Sequence, residues 1–103
     1  MMTIVDYISS RYSPFHPILW YVILEENNQY FFNIIETTEY DPVNSFQLSN
    51  GKPTPITMDD VDEYLKIYEK EQGKMEYRTY NKIMSIKNQI RDNKIEIILN
   101  GRN

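Results

Sequence analysis

Between Ile18 and Thr38 the chain reads ILWYVILEE, then Asn27-Asn28, then QYFFNIIETT, and this stretch limits the possible folds more than any other. The seven apolar residues from Ile18 to Leu24 are too few for a dependable helix and are rich in β-branched and aromatic types, so they read as a strand. Asparagine tolerates positive φ. Two in succession suit the type I′ turn of a two-residue hairpin, whose twist matches that of the strands it joins. The loop length sets the register: Glu26 opposite Gln29, Leu24 opposite Phe31, Val22 opposite Asn33 and Trp20 opposite Ile35, with Ile23 opposite Phe32 and Tyr21 opposite Ile34 on the other face.

A half-exposed hairpin alternates apolar and polar residues, whereas this one is mostly apolar on both faces through its middle. Both faces are therefore expected to be covered. Helices of the same chain can cover one, and the other calls for a further layer or a second chain. The hairpin is accordingly the first candidate for a partner-binding surface, with Tyr21 and Ile34 at its apolar centre and Glu25, Glu26 and Glu36 around its ends. Replacing Tyr21 or Ile34 by lysine is expected to break such a contact without unfolding the domain.

The flanking segments are read in the same way. Residues 3–12 place Ile4, Val5 and Ile8 on one arc of a short amphipathic helix, which Pro14 and Pro17 bring to an end. After the hairpin, Asp41-Pro42 marks a turn, and residues 45–49 alternate as a half-buried third strand. Asn50-Gly51 turns the chain again, and Pro53 and Pro55 restrict their segment to an edge strand or a covering loop.

Thr57, with Asp60 three positions on, forms the signature that opens a helix. Val61, Leu65 and Tyr68 form its buried stripe, widened by Tyr64, and Gly73 is its stop. A second helix is predicted from Met75 to Asp92, carrying Thr79, Ile83, Ile86 and Ile90 on one face and Tyr77, Tyr80 and Met84 on a flanking arc. Asp92-Asn93 reads as a turn, residues 95–99 as a last strand, and 101–103 as a tail. The fold class is α+β, in one domain over 1–103: a small antiparallel sheet centred on the hairpin, two C-terminal helices packed on one face, and a short N-terminal helix.

Composition narrows the chemistry. There is no cysteine, hence no disulfide or thiolate chemistry, in keeping with an intracellular, cytoplasmic setting. No signal-peptide pattern is seen, and no apolar run approaches the ~20 residues of a membrane helix, so no membrane partner is expected. The chain holds 14 Ile, 10 Asn and 9 Tyr but no Ala, a bias toward AT-rich codons that suits a gene carried by a virus, phage or plasmid.

One histidine, His16, rules out a catalytic triad or a site built on several imidazoles. The acidic group Asp59, Asp60, Asp62 and Glu63 lacks the loop glycine and final glutamate of an EF-hand, and the field of a helix start accounts for it. Asp92-x-Lys94, with Asp41 upstream, matches a metal-dependent nuclease only by its letters. Three glycines leave no phosphate-cradling loop. No catalytic constellation and no cofactor is therefore expected.

Charge divides along the chain: residues 1–72 carry 12 acidic and 4 basic side chains, and residues 73–103 carry 3 and 7. Lys74, Arg78 and Lys82 form one stripe on the second helix and Lys87, Arg91 and Lys94 another. A helix-turn-helix frame centred on Gly73 fails, because it sets Glu69 where a small residue must pack. Two readings remain. The first is a small non-catalytic inhibitor or accessory factor that binds a protein partner or a second copy of itself. The second is a nucleic-acid-binding regulator using Lys74, Arg78 and Lys82.

Overall fold

A computed structural model describes residues 2–37 and 52–100, the last eight of these as backbone alone. The fold is α+β. Four antiparallel strands in the order β1-β2-β3-β4, β1 (Thr3–Ser10), β2 (Ile18–Glu26), β3 (Gln29–Thr37) and β4 (Thr54–Pro55), carry two helices, α1 (Met58–Gln72) and α2 (Tyr77–Asn100).

The hairpin has the register expected from its turn, with all six of the anticipated cross-strand pairs in place. Asn27 and Asn28 adopt φ of 52° and 64°, the two positive values that a type I′ turn requires. β4 pairs Pro55 with Phe31 and Thr54 with Phe32 at the sheet edge, where a proline's missing donor costs nothing. The third strand expected over 45–49 lies outside the described residues.

Residues 3–10 form a strand rather than the expected helix. The misleading feature is a bulge: the register shifts between Ile4 and Asp6, with Val5 as the extra residue. Ile4 packs on one face of the sheet while Val5 and Ile8 pack on the other. A bulge breaks the two-residue period, so the apolar positions fall at spacings that resemble a helical arc. What decides the matter is β2, which is apolar on both faces and needs a paired strand on each side.

Those two faces hold two apolar clusters. Beneath the helices, Ile8, Tyr21, Ile23 and Phe32 of the sheet meet Ile56, Val61, Tyr64 and Tyr68 and, from α2, Ile83 and Ile86. On the opposite face, Ile18, Trp20, Val22, Leu24 and Ile35 are equally enclosed, with Met2, Ile4 and Phe31 packed against them. Asn33 is buried on this second face, and its amide nitrogen has no hydrogen-bond partner among the described residues. Both faces are thus covered as expected, and a second chain is not needed to enclose either.

α1 begins as its sequence indicates. The Thr57 hydroxyl accepts from the Asp60 N–H at 3.2 Å, and the Asp60 carboxylate accepts from the Thr57 N–H at 3.0 Å. Thr57→Ala is expected to cost about 0.5–2 kcal/mol, read as a lower urea midpoint at unchanged slope. Gly73 closes the helix at φ 78°, donating its N–H to the Glu69 carbonyl.

α2 extends to Asn100, so the strand expected over 95–99 is helical instead. No glycine or proline lies between Met75 and Asn100, and the Asp92-Asn93 pair is not by itself enough to stop a helix already formed. Gln89 Nε2 donates to the Asn28 carbonyl at 2.6 Å, which ties this helix to the hairpin turn.

Candidate interaction surface

The residues proposed from the hairpin do not form one surface. Tyr21 is only 8% exposed and stacks at a tilt against Phe32, 6.4 Å between ring centroids. Burial pushes its hydroxyl pKa up, and the charge of Glu63 adds to the effect. Tyr21 is therefore part of the core beneath the helices. Ile34, its cross-strand partner, is 44% exposed.

Glu25 lies opposite Tyr30 beside the turn, and Glu26 lies opposite Gln29. Both are half-buried. Burial raises the Tyr30 hydroxyl pKa, and its hydrogen bond with Glu25 raises it further. Glu36 is exposed but pairs with Leu19, roughly 20 Å along the strands from Glu25. The acidic residues thus sit at opposite ends of the hairpin.

The basic residues are better gathered. Lys74, Arg78 and Lys82 are all exposed, with Arg78 and Lys82 one turn apart, but α2 begins at Tyr77, so Lys74 lies in the connection before it and not on the expected helical stripe. Tyr77 beside them is 80% exposed and Tyr80 is half-exposed, so neither belongs to the core. Lys87 instead reaches Asp62 of α1 at 3.8 Å. This contact joins the basic helix to the acidic one and is worth at most about 1 kcal/mol near the surface.

A surface that the sequence did not single out lies between β1 and β2. Residues 11–17 close on themselves: the His16 N–H donates to the Ser13 carbonyl at 3.0 Å, Arg11 Nε to the His16 carbonyl at 2.7 Å, and the Phe15 N–H to Ser13 Oγ at 3.2 Å. Ser13 Oγ also lies 2.5 Å from His16 Nδ1, and the Tyr12 and His16 rings meet edge to face at 5.0 Å. His16 thus orders the loop. Held in this way, the loop presents Phe15 at 96% exposure and Tyr12 at 86%.

The one sequence signal for this surface is the motif Pro14-Phe15-His16-Pro17. Prolines on both sides fix their own φ and bias Ser13 and His16 toward extended backbone, which marks the segment as a loop. The loop lies beside the C-terminal end of α1, where Ser10 Oγ donates to the Glu71 carboxylate at 3.1 Å. Between the C-terminal half of α1 and the start of α2 a cleft of ≈ 310 Å³ opens, lined by Leu65, Tyr68, Glu69, Gly73, Met75 and Tyr80.

No protein-family model matches the chain, and no curated protein or solved structure matches it either. Among the described residues no group of three or more His, Asp or Glu side chains is arranged to hold a metal ion, and no helix is long and apolar enough to cross a membrane. Asp92 is exposed within α2 rather than at a helix-to-strand turn. Asp41 lies outside the described residues, as does the side chain of Lys94.

Proposed function

We propose that this protein is a small non-catalytic interaction module, an inhibitor or accessory factor, that engages a protein partner through the β1–β2 loop. The observation that carries this reading is Phe15, 96% exposed at the tip of a loop ordered by its own hydrogen bonds. A large apolar ring held out in water gains by burial against a partner. A loop already ordered loses little conformational freedom on docking. Buried aromatic anchors of this kind carry much of the energy of protein interfaces.

The test is a photo-crosslinking amino acid placed at position 15, and at the exposed Asn88 as a control, in the cell that expresses the protein. A discrete adduct at position 15 and none at 88 is the expected result. Equal labelling at both, or none at either, would remove the reading.

A second reading rests on the exposed Arg78 and Lys82, one turn apart on α2, with the exposed Tyr77 next to Arg78: an aromatic that stacks on bases and cations that meet phosphates. It requires an affinity for single-stranded DNA or RNA that falls steeply with salt and drops when Arg78 and Lys82 are neutralised. Fluorescence anisotropy at low and moderate salt checks this. The protein-binding reading requires no such affinity at moderate salt.

A further inference from the structure

The outer edge of β1 is a stretch of unpaired backbone, and the hairpin turn fixes which residues present it. In a two-residue hairpin the residues flanking the turn exchange both backbone bonds, and bonded positions alternate from there. Glu26 and Gln29 flank the turn, so Val22 and Trp20 bond to β3, while Ile23, Tyr21 and Leu19 turn their N–H and C=O groups toward β1. Their partners Asp6, Ile8 and Ser10 therefore bond inward, and Tyr7 and Ser9 direct their backbone groups outward. The same alternation sets Tyr30 facing outward on β3, where its carbonyl accepts from the Ile56 N–H at 3.0 Å.

β1 ends the sheet, and among the described residues no backbone group beyond it bonds to Tyr7 or Ser9. We propose that this edge is a self-association surface: two copies lay their β1 strands side by side, antiparallel about a twofold axis, and join their sheets into one. The edge is separate from the Phe15 loop, so the two contacts stand or fall independently.

Bare edges pair readily, and proteins that stay apart guard them with lysine, proline, a bulge or a cover. β1 holds no lysine, arginine or proline, and its bulge lies at Val5, ahead of Tyr7 and Ser9. Asp6, its one charged residue, turns its carboxylate to the Tyr64 hydroxyl beneath α1. Nothing in the strand therefore repels a neighbour from Asp6 to Ser10. The opposite edge is guarded, because β4 pairs with Phe31 and Phe32 and β3 beyond it carries the exposed Glu36.

The occupant is a second copy because the edge complements itself. With Ile8 on the axis, Tyr7 of each copy exchanges both backbone bonds with Ser9 of the other. Asp6 then comes opposite Ser10, so no like charges meet. Tyr7 is 47% exposed, on the face away from the helices, where its ring meets Trp20 edge to face at 5.7 Å. Across from it lies the small side chain of Ser9, which leaves the ring room to cover the incoming strand. Each edge is used up by the other, so the assembly closes at two copies.

The experiment is sedimentation equilibrium of the purified full chain from about 10 µM to about 1 mM, with amide hydrogen exchange of the same samples read by NMR. The wild type is expected to approach twice the 12.4 kDa chain mass. The Tyr7 and Ser9 amides should exchange freely at the low concentration and about 10-fold or more slowly at the high one, whereas Asp6 and Ile8, bonded to β2, stay protected throughout. Ser9→Pro deletes a donor that the monomer leaves unpaired and should weaken the dimer about 10-fold or more, since one bond is lost from each copy. Tyr7→Lys guards the same edge with charge and should do likewise. Circular dichroism checks that both variants are folded, and the wild-type exchange pattern decides even where one is not.

A wild type that stays monomeric at about 1 mM would overturn the dimer, as would a mass that grows past two copies. So would a dimer in which the Tyr7 and Ser9 amides still exchange freely. A photo-crosslinking residue at position 7 reports the other occupant: a foreign adduct from a monomeric protein would give the edge to that partner and sink the self-association.

Discussion

Tyr64→Ala is expected to lower stability by about 3–5 kcal/mol, as other large aromatics do when cut back to alanine in a core. Domains of this size are stable by only about 5–15 kcal/mol, so the substitution removes a large part of the total stability. Tyr64 has no exposed surface. It lies between the sheet and α1, its ring 6.3 Å from that of Tyr68, and its hydroxyl donates to the Asp6 carboxylate of β1. The substitution thus opens a cavity and also removes a donor from a part-buried acid.

Tyr64→Phe separates the two effects. It keeps the ring and leaves Asp6 without its donor, at an expected cost of about 1–3 kcal/mol. Alkaline titration gives a second readout. Burial, and next the hydrogen bond to Asp6, push the Tyr64 hydroxyl pKa far above its ordinary 10.0. Below that value neither the folded nor the unfolded chain ionises here, so the contribution to stability is intact. Above it the unfolded chain releases the proton and the folded chain does not, so stability falls with rising pH by up to about 1.4 kcal/mol per unit. Urea midpoints between pH 9 and 11.5 should decline more steeply for the wild type than for Tyr64→Phe. Equal slopes would show that Tyr64 is not the group responsible.

The paired substitutions Tyr21→Asp and Ile34→Asp should differ by several kcal/mol although the two residues face each other across the hairpin. At position 21 the aspartate would remove a buried ring from Phe32 and set a carboxylate near Glu63, a loss of about 4 kcal/mol or more, among the largest that single changes produce. At position 34 the side chain is already close to half-exposed, and the cost should stay near the ~1 kcal/mol span of strand propensity. Urea unfolding followed by circular dichroism measures both. Similar losses at the two positions would mean that the helices do not cover Tyr21 as described.

The contrast shows where reasoning from sequence reached its limit. Tyr21 and Ile34 share a face, and the turn chemistry of Asn27-Asn28 was enough to say so. Which part of that face the helices cover depends on where α1 and α2 cross the sheet. That crossing is set by contacts such as Tyr64 with Asp6 and Gln89 with the Asn28 carbonyl, between residues about sixty positions apart. The proposed site was legible to a lesser degree. Arg78 and Lys82 could be paired from helical spacing, but the start of α2 after Lys74 could not, nor the exposure of Tyr77 and Tyr80, because the same spacing suits a core position equally well.

Residues 3–10 and 95–99 make the same point from opposite directions. The first carry a helix-like spacing and form a strand, since β2 offers an edge to pair with and a bulge absorbs the misfit. The second resemble a strand and continue a helix, since no breaking residue separates them from a segment already helical.

What the sequence determined by itself was local: the hairpin and its register, the capping box at Thr57, the stop at Gly73, the edge position of the prolines and the division of charge between the two parts of the chain. Each depends on backbone preferences and side-chain bonds within a few residues. The tertiary structure alone decided the identity of β1, the placing of Tyr21 in the core, the exposure of Phe15 and the cleft between α1 and α2. These depend on the packing of distant segments, where the free energy comes from surfaces that no short stretch of the chain contains.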